Sequence, residues 1–548
     1  MKTISDLEEE YRQSLNYRAT WDTEWRKITD FLLPGRGIYN LYTKPQVRRL
    51  TSGKVINTIA REALQVLTSG FHGGLTSPSR PWFDLIVSDT KLMQVTPIKM
   101  WLDGCQRAIY DALEISNFYQ TIHSFYTEFA GFGNAVLYCG EDTLNPYRFE
   151  LLTVGEYTFS MNPEGRIDTF FRTIYKTNRN VVEEFGEDKV PTQIVQNAKK
   201  MPDDTVIVIN AVFPDKYQDK PYTSVHWLLG ENEALKKSGF YEFPYLVGRW
   251  ELIGSDIYGL GLGSYALPDI QRLQEMEKAF LMGAHKAIDP PLNAPARKKG
   301  KVKTLPGGIN YYSNPKELVL PMQSPNYDFQ PVSLAIGRVE TRIRQIFFND
   351  IFLSASRDPN ASPLKAAEVE ERKEEKLLRI GPVIERVLHE FISPLVERCF
   401  NIAARKGLLP VLDPQYADLL KNYTIRFISP LAQAQKLVEA RPINTFLQFV
   451  TGAAQFSPNA LDKINVDRLV DEYADITGVP ATILRGPDEV KLIRDQRAAQ
   501  LAQEKAKQEQ LALAQLQTQQ QQMQADSAQK YSEAGINMGQ ALNPLGGV

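Results

Sequence analysis

The chain has 548 residues, 43% of them hydrophobic and 23% charged, and a formal net charge of −2 at pH 7. That is the mix of a folded protein with ample chain for a core and length for several domains, and it lacks the basic excess of an ordinary nucleic-acid-binding domain. Three cysteines, Cys105, Cys139 and Cys399, are odd in number and far apart, which argues against a disulfide framework or a CxxC metal site and points to buried free thiols in a reducing compartment. No secretory leader opens the chain and no stretch approaches the roughly eighteen apolar residues of a membrane span, so synthesis and retention in the cytosol are expected.

Residues 4–32 read as a polar helix with Trp21, Trp25, Ile28 and Phe31 on its apolar side, ended by Pro34-Gly35. A second helix is expected from Val55 to Phe71, stopping at Gly73-Gly74, with His72 as a loop residue and a strand from Trp82 to Val87. Helices follow at Pro97 to Leu113 and Phe118 to Ala130, and then strands dominate. These are Ala135 to Cys139, Phe149 to Val154, Tyr157 to Met161, Arg166 to Tyr175, Val206 to Phe213, Tyr222 to Leu229 and Tyr245 to Leu252. Asn162-Pro163-Glu164-Gly165 reads as a hairpin loop. Helices first and antiparallel strands after make an α+β body.

The next stretch, from Tyr258 to Gly407, organises the rest. Ile270, Leu273, Met276, Phe280, Ala284 and Ala287 recur at three-to-four spacing and predict a helix from Ser264 to Ala287, with Pro268 acceptable only in its first turn. Ile288-Asp289-Pro290-Pro291 stops it. A lysine- and proline-rich excursion follows, with Arg297, Lys298, Lys299, Lys301 and Lys303 and short strand candidates at Ile309 to Tyr312 and Leu318 to Leu320. Val332, Ile336, Val339, Ile343 and Ile346 then mark a second helix to Phe352. Each helix is roughly 30 Å long at about 1.5 Å per residue, and each has one apolar face. The two are expected to form an antiparallel pair whose stripes need each other or neighbouring subunits.

Leu353 to Pro363 reads as a turn-rich loop, and a helix follows to Lys406, charged all round at Glu368 to Lys376 and apolar after Val383. Gly381-Pro382 is expected to kink it, and Pro394 to bend it again. Tyr423 to Ile428 reads as a strand, with helices at Leu431 to Phe456, Val466 to Ile476 and from Asp488 onward. The Ala/Gln-rich stretch to Ala528 is strongly helical by propensity but thinly apolar, and Gly535 to Val548 reads as loose.

No catalytic constellation emerges. Gly259, Gly261 and Gly263 have the wrong third spacing for a dinucleotide loop, no following βαβ unit is seen, and a flexible helix entry is the simpler reading. His389-Glu390 lacks the second histidine of a zincin, and no GxxxxGK[ST] occurs. The chain therefore reads as non-enzymatic, with no cofactor and no metal.

Three segments carry a resemblance: LTSGFHGGLTSPSRPWFDL, YGLGLGSYALPDIQRLQEMEKAFLMGAHKAIDPPLNAP and LKAAEVEERKEEKLLRIGPVIERVLHEFISPLVERCF. In that order they resemble the head-to-tail connecting, or portal, proteins of short-tailed bacteriophages, over the chain to about residue 485. The resemblance implies a wing over 1–263, stem helices over 264–287 and 332–352 and a clip over 288–331. It further implies a tunnel loop over 353–363, a kinked helix with return to the wing over 364–430, a crown over 431–487, and a helical barrel or flexible tail over 488–548. It also implies a dodecameric ring at the capsid vertex of the virion, assembled in host cytoplasm. Partners would be the terminase motor, tail adaptor, capsid and scaffolding proteins, and double-stranded DNA in the channel, with no membrane.

Within that frame Arg338, Arg342, Arg344 and Arg357 are candidates for brief phosphate contacts, with intersubunit salt bridges an equal alternative for the three helical ones. The run Arg297, Lys298, Lys299, Lys301 and Lys303 is either a docking surface for motor and adaptor or a plain solvated charge run. Two other classes stay open: a virion scaffold or adaptor without a pore, and a metal-dependent phage nuclease.

Overall fold

The computed structural model describes residues 2–39, 53–87, 95–304, 308–321, 328–353, 379–412, 414, 423–428, 446–447, 449–452, 464–477, 485 and 487–541. The chain divides into two compact units, Met1–Lys463 and Ile464–Val548. The expected tunnel loop with Arg357, the charged stretch Glu368 to Lys376, and most of the helix expected from Leu431 to Phe456 lie outside the described residues.

In the first unit, α1 (Ile4–Phe31) opens on a capping box: Asp6 N–H donates to Thr3 Oγ1 (3.2 Å) and Thr3 N–H to Asp6 Oδ2 (2.9 Å). This satisfies two donors that a helix start leaves free. Helix α2 (Ile59–Leu75) begins later than expected and runs through Gly73-Gly74, because Leu67, Phe71 and Leu75 continue one buried face past them. Burial outweighs the roughly 1 kcal/mol helical cost of a glycine, and His72 is therefore helical rather than in a loop. Helices α3 (Thr96–Ile115) and α4 (Phe118–Phe132) follow, the latter closed by Gly133 in the left-handed region at φ 85°.

The strands form antiparallel sheets, as the alternation predicts. Strand β1 (Phe83–Val87) pairs with Tyr423–Phe427, with Asp84 opposite Arg426 in a 2.8 Å ion pair. A three-stranded sheet has β2 (Asn134–Glu141) between β3 (Tyr147–Leu152) and a strand at Tyr245–Arg249. A five-stranded meander runs through β4 (Tyr157–Met161), β5 (Ile167–Thr177), β6 (Thr205–Tyr217), β7 (Lys220–Leu228) and β8 (Ala234–Phe240). The β4–β5 turn is the expected one, with Asn162 N–H donating to Arg166 O (2.8 Å) and Gly165 at φ 80°. Strand β6 is apolar at successive positions because both faces are covered. Ile209, Ala211 and Phe213 meet Leu7 and Tyr11 of α1, and Val208 meets the helices α5 (Asn178–Phe185) and α6 (Thr192–Lys200). The sequence reading lacks those two helices and β8, each short and carrying too few apolar residues to show a period.

A long helix, α7 (Leu262–Ile288), leaves this body, and α8 (Gln330–Ile346) returns to it. The return helix stops sooner than expected: Phe348 takes φ 53°, and the short α9 (Asn349–Leu353) follows the break. Pro268 lies inside α7 rather than in its first turn, its ring on the exposed side. Of the expected tip strands, Leu320–Pro321 pairs antiparallel with Leu292–Asn293, whereas Ile309 to Tyr312 is not strand.

Residues 379–405 are helical throughout, with a π-turn at Leu388–Ile392 before the helix Ser393–Arg405. Pro394 cannot donate to Glu390 O and its ring crowds that carbonyl, so the wider turn relieves the clash. The bend expected at Gly381 and Pro382 falls where only the downstream limb is described.

In the second unit Val466–Thr477 and the 55-residue helix Pro487–Ala541 are tied by Arg494 and Asp467 (2.7 Å). The helix continues through Gly535 to Ala541, past the point where loose chain is expected.

Candidate functional site

The hairpin of α7 and α8 is anchored by glycines. The backbone of Gly259, Gly261 and Gly263 crosses that of Gly131 and Gly133 so closely that a Cβ on Gly261 would stand 2.3 Å from Gly133 N, and one on Gly263 would stand 2.2 Å from Gly131 O. Trp250 N–H donates to Gly133 O (2.9 Å), and Asn134 exchanges two 2.8 Å hydrogen bonds with Gly259. The GxGxG is therefore a rigid seat for α7, not the flexible entry its composition suggests.

From this seat α7 changes character along its length. Leu262, Ala266, Leu267, Ile270 and Leu273 are buried against the body. The distal half has Met276 and Phe280 partly covered by α8, with Phe280 edge-on to Phe329 at 5.6 Å between ring centroids, while Leu281 is 43%, Met282 52% and Ile288 84% exposed. On α8 Ile336, Val339 and Ile343 are buried, whereas Leu334 is 59% exposed. The two helices run antiparallel: Asp269 meets Arg342 near the body and Gly283 meets Phe329 near the tip.

A polar clamp that local pattern does not reveal holds the base of the pair. Gln274 Oε1 accepts from Ile56 N–H (2.6 Å) and Asn57 N–H (2.8 Å), while its Nε2 donates to Asn57 O (2.9 Å). Asn57 Nδ2 donates to both Glu277 (2.8 Å) on α7 and Glu340 (2.9 Å) on α8. One amide thus bridges two carboxylates that would otherwise repel. The only sequence signal is a glutamine next to Leu273 on an otherwise apolar face.

Of the candidate arginines, Arg338, Arg342 and Arg344 are exposed on α8. Arg342 pairs with Asp269 of the same chain at 3.0 Å, so its charge is partly spent within the subunit. In the tip, Lys298 Nζ donates to Tyr311 O (2.6 Å), and Asn310 closes Lys303 into a loop through two 2.8 Å backbone bonds. Lys299, Lys301 and Lys303 have exposed side chains, next to Tyr311 and Tyr312 at 81% and 55% exposure. Arg297 is the middle residue of a short 3-10 turn, Ala296–Lys298. His72, in α2, lies edge-on to His123 at 6.0 Å; burial holds both imidazoles below their ordinary pKa, aided by His123 at His72 and by Arg36 at His123.

The family model of the bacteriophage head to tail connecting protein matches residues 5–484. The chain belongs to that family. It is 32% identical over 505 residues to the portal protein of Salmonella phage epsilon15, covering 89% of this chain and 90% of the relative. It is also 32% identical over 497 residues to the probable portal protein of Bordetella phage BPP-1, covering 88% and 89%. As a phage head-tail connector of the portal class, the chain is a structural virion protein and not an enzyme.

Proposed function

We propose that copies of this chain close into a dodecameric ring at the capsid vertex, through whose axis double-stranded DNA is packaged and later ejected. The observation that carries the reading is the distal half of the α7–α8 hairpin, where Leu281, Met282 and Leu334 are large, apolar and uncovered within the chain. Side-by-side copies would cover them. In this reading residues 1–263 are the wing, 264–287 and 332–352 the stem, 288–331 the clip, 353–363 the tunnel loop, 364–430 the kinked helix and return, 431–487 the crown and 488–548 a barrel or tail. Assembly takes place in the host cytoplasm, with capsid and scaffolding proteins as partners.

Charge is consistent with a conduit. DNA presents one charge per about 1.7 Å, and a wall rich in Lys and Arg would grip it in a salt-dependent way. A chain of net charge −2 with Arg338, Arg344 and Arg357 as scattered cations allows sliding. The exposed Lys299, Lys301 and Lys303 beside two tyrosines suit the clip as a docking surface for the terminase motor and the tail adaptor.

The long terminal helix supports assembly of copies as well. Leu492, Leu501, Leu511, Leu513, Leu516 and Met523 are exposed along it, apolar side chains that neighbouring copies would cover. Electron microscopy with native mass spectrometry of the full-length protein tests the reading. A ring with an axial hole wide enough for a duplex is expected; a monomer at high concentration and in particles would sink it, and a compact oligomer without a hole would favour a virion scaffold or adaptor.

A further inference from the structure

Two of the three cysteines are not isolated. Cys139 lies in β2 and Cys399 in the helix Ser393–Arg405 that crosses it, and both are fully buried. The backbones are held together around them: Arg398 Nε donates to Cys139 O (2.8 Å) and Tyr147 OH to Cys399 O (2.9 Å). Arg398 is itself 2% exposed and also donates to Glu242 O (2.9 Å). The two thiols are immediate neighbours there.

Their environments are unequal. Burial opposes ionisation of Cys139, but the neighbouring Cys399 and the Arg398 guanidinium outweigh it and bring this thiol below its ordinary pKa. Burial, then the neighbouring Cys139, hold Cys399 well above its own. At Cys105, by contrast, burial pushes the thiol up to about 12. Arg398 is held against Cys139 through its bond to Cys139 O, so a cation stands beside this sulfur; it is placed to react first, with the adjacent Cys399 placed to resolve.

We propose that Cys139 and Cys399 form a redox modification site, oxidised by a hydroperoxide to a disulfide that fastens the helix of residues 379–405 to the three-stranded sheet. Cys139 loses its proton and its thiolate attacks one oxygen of hydrogen peroxide; the O–O bond breaks, and hydroxide leaves to take up that proton as water. The sulfenic acid on Cys139 is then attacked by Cys399 sulfur, the S–O bond breaks, and the Cys399 proton leaves with the hydroxyl as a second water. Two thiols and one peroxide give one disulfide and two waters, the two electrons passing from sulfur to the peroxide oxygens. Hydrogen peroxide is small enough to enter during local opening of the core. A virion protein is made in a reducing cytosol and afterwards meets an oxidising exterior, so the pair is reduced during folding and oxidisable later.

The test uses the full-length protein exposed to hydrogen peroxide, quenched, unfolded, alkylated and mapped by mass spectrometry. The expected result is a Cys139–Cys399 linked peptide, loss of most alkylation at both positions, unchanged alkylation of Cys105, and full reversal by a thiol reductant. In Cys399→Ser a sulfenic acid should persist on Cys139 and react with dimedone, whereas in Cys139→Ser the Cys399 thiol should stay unmodified. Full alkylation of both residues after peroxide, a linkage through Cys105, or oxidation of Cys399 in Cys139→Ser would each overturn the proposal. The unsubstituted protein answers the main question even if a variant folds poorly.

Discussion

Arg249 and Glu390 meet in a two-pronged ion pair: Nε to Oε2 at 3.0 Å and Nη2 to Oε1 at 2.9 Å. Arg249 ends the last strand of the three-stranded sheet, with only 5% of its side chain exposed, and Glu390 sits in the π-turn that precedes Pro394. The wide turn rotates Glu390 onto the sheet, and the guanidinium, which also touches Met161 Sδ at 2.9 Å, fixes that rotation.

Removing one partner leaves a buried charge. Glu390→Leu is expected to lower subunit stability by about 3 kcal/mol, and adding Arg249→Met should recover most of the loss. Urea midpoints of the single and double variants check this. Equal losses in the Glu390→Leu and double variants would show that the pair contributes only packing.

The glycine crossing gives a sharper expectation. Gly261→Ala places a methyl 2.3 Å from Gly133 N, where backbone on both sides cannot yield, so a loss of about 3 kcal/mol or failure to fold is expected. Gly337→Ala in α8, where a Cβ meets nothing within 4 Å, should instead stabilise the subunit by about 1 kcal/mol. Thermal unfolding of both variants separates a tight crossing from a merely flexible stretch.

His226 makes the five-stranded sheet sensitive to acid. Burial, then Lys236, Lys176 and Arg172, bring its pKa down from 6.5 to about 4, and Asn210 Nδ2 lies 3.4 Å from its Nδ1. A base whose folded pKa is depressed contributes stability that is present above its unfolded value and lost as pH falls through the folded one. Stability should therefore drop between pH 6.5 and about 4, by at most about 3 kcal/mol from this group. His226→Gln should flatten that part of a urea-midpoint profile against pH.

The arginines of α8 should separate into two kinds. Arg338→Glu and Arg344→Glu are expected to leave subunit stability within about 0.5 kcal/mol and to alter DNA packaging or retention. Arg342→Glu should in addition weaken the α7–α8 pair, by about 1 kcal/mol, since it sets a second carboxylate against Asp269. Normal packaging and retention in all three would remove them from any account of DNA contact.

Neutralising the tip lysines tests docking. Lys299→Gln, Lys301→Gln and Lys303→Gln together should leave the fold intact and slow association with the motor or the adaptor about tenfold at low salt. Unchanged rates, measured by surface plasmon resonance, would reduce the run to a solvated loop.

Much of this architecture follows from local sequence. The three-to-four spacing from Ile270 to Phe280 and from Ile336 to Ile343 is a helix signal wherever it occurs, and Asn162 to Gly165 can close only a tight turn. The same spacing is silent about depth. Leu273 and Leu281 look alike in the sequence, yet one is fully buried and the other 43% exposed. The body reaches only the first half of α7, and no local pattern records where a neighbouring layer ends.

By itself, then, the sequence determined the α+β class, the two-helix hairpin, the absence of a recognisable catalytic motif and the family to which the chain belongs. Tertiary structure alone decided what Gly259, Gly261 and Gly263 are for, which carboxylate answers Arg249, and that Gln274 and Asn57 clamp the hairpin base. Each of these joins residues more than a hundred positions apart. A backbone crossing or a buried ion pair exists only when two distant segments meet, and the energy that selects it belongs to neither segment alone.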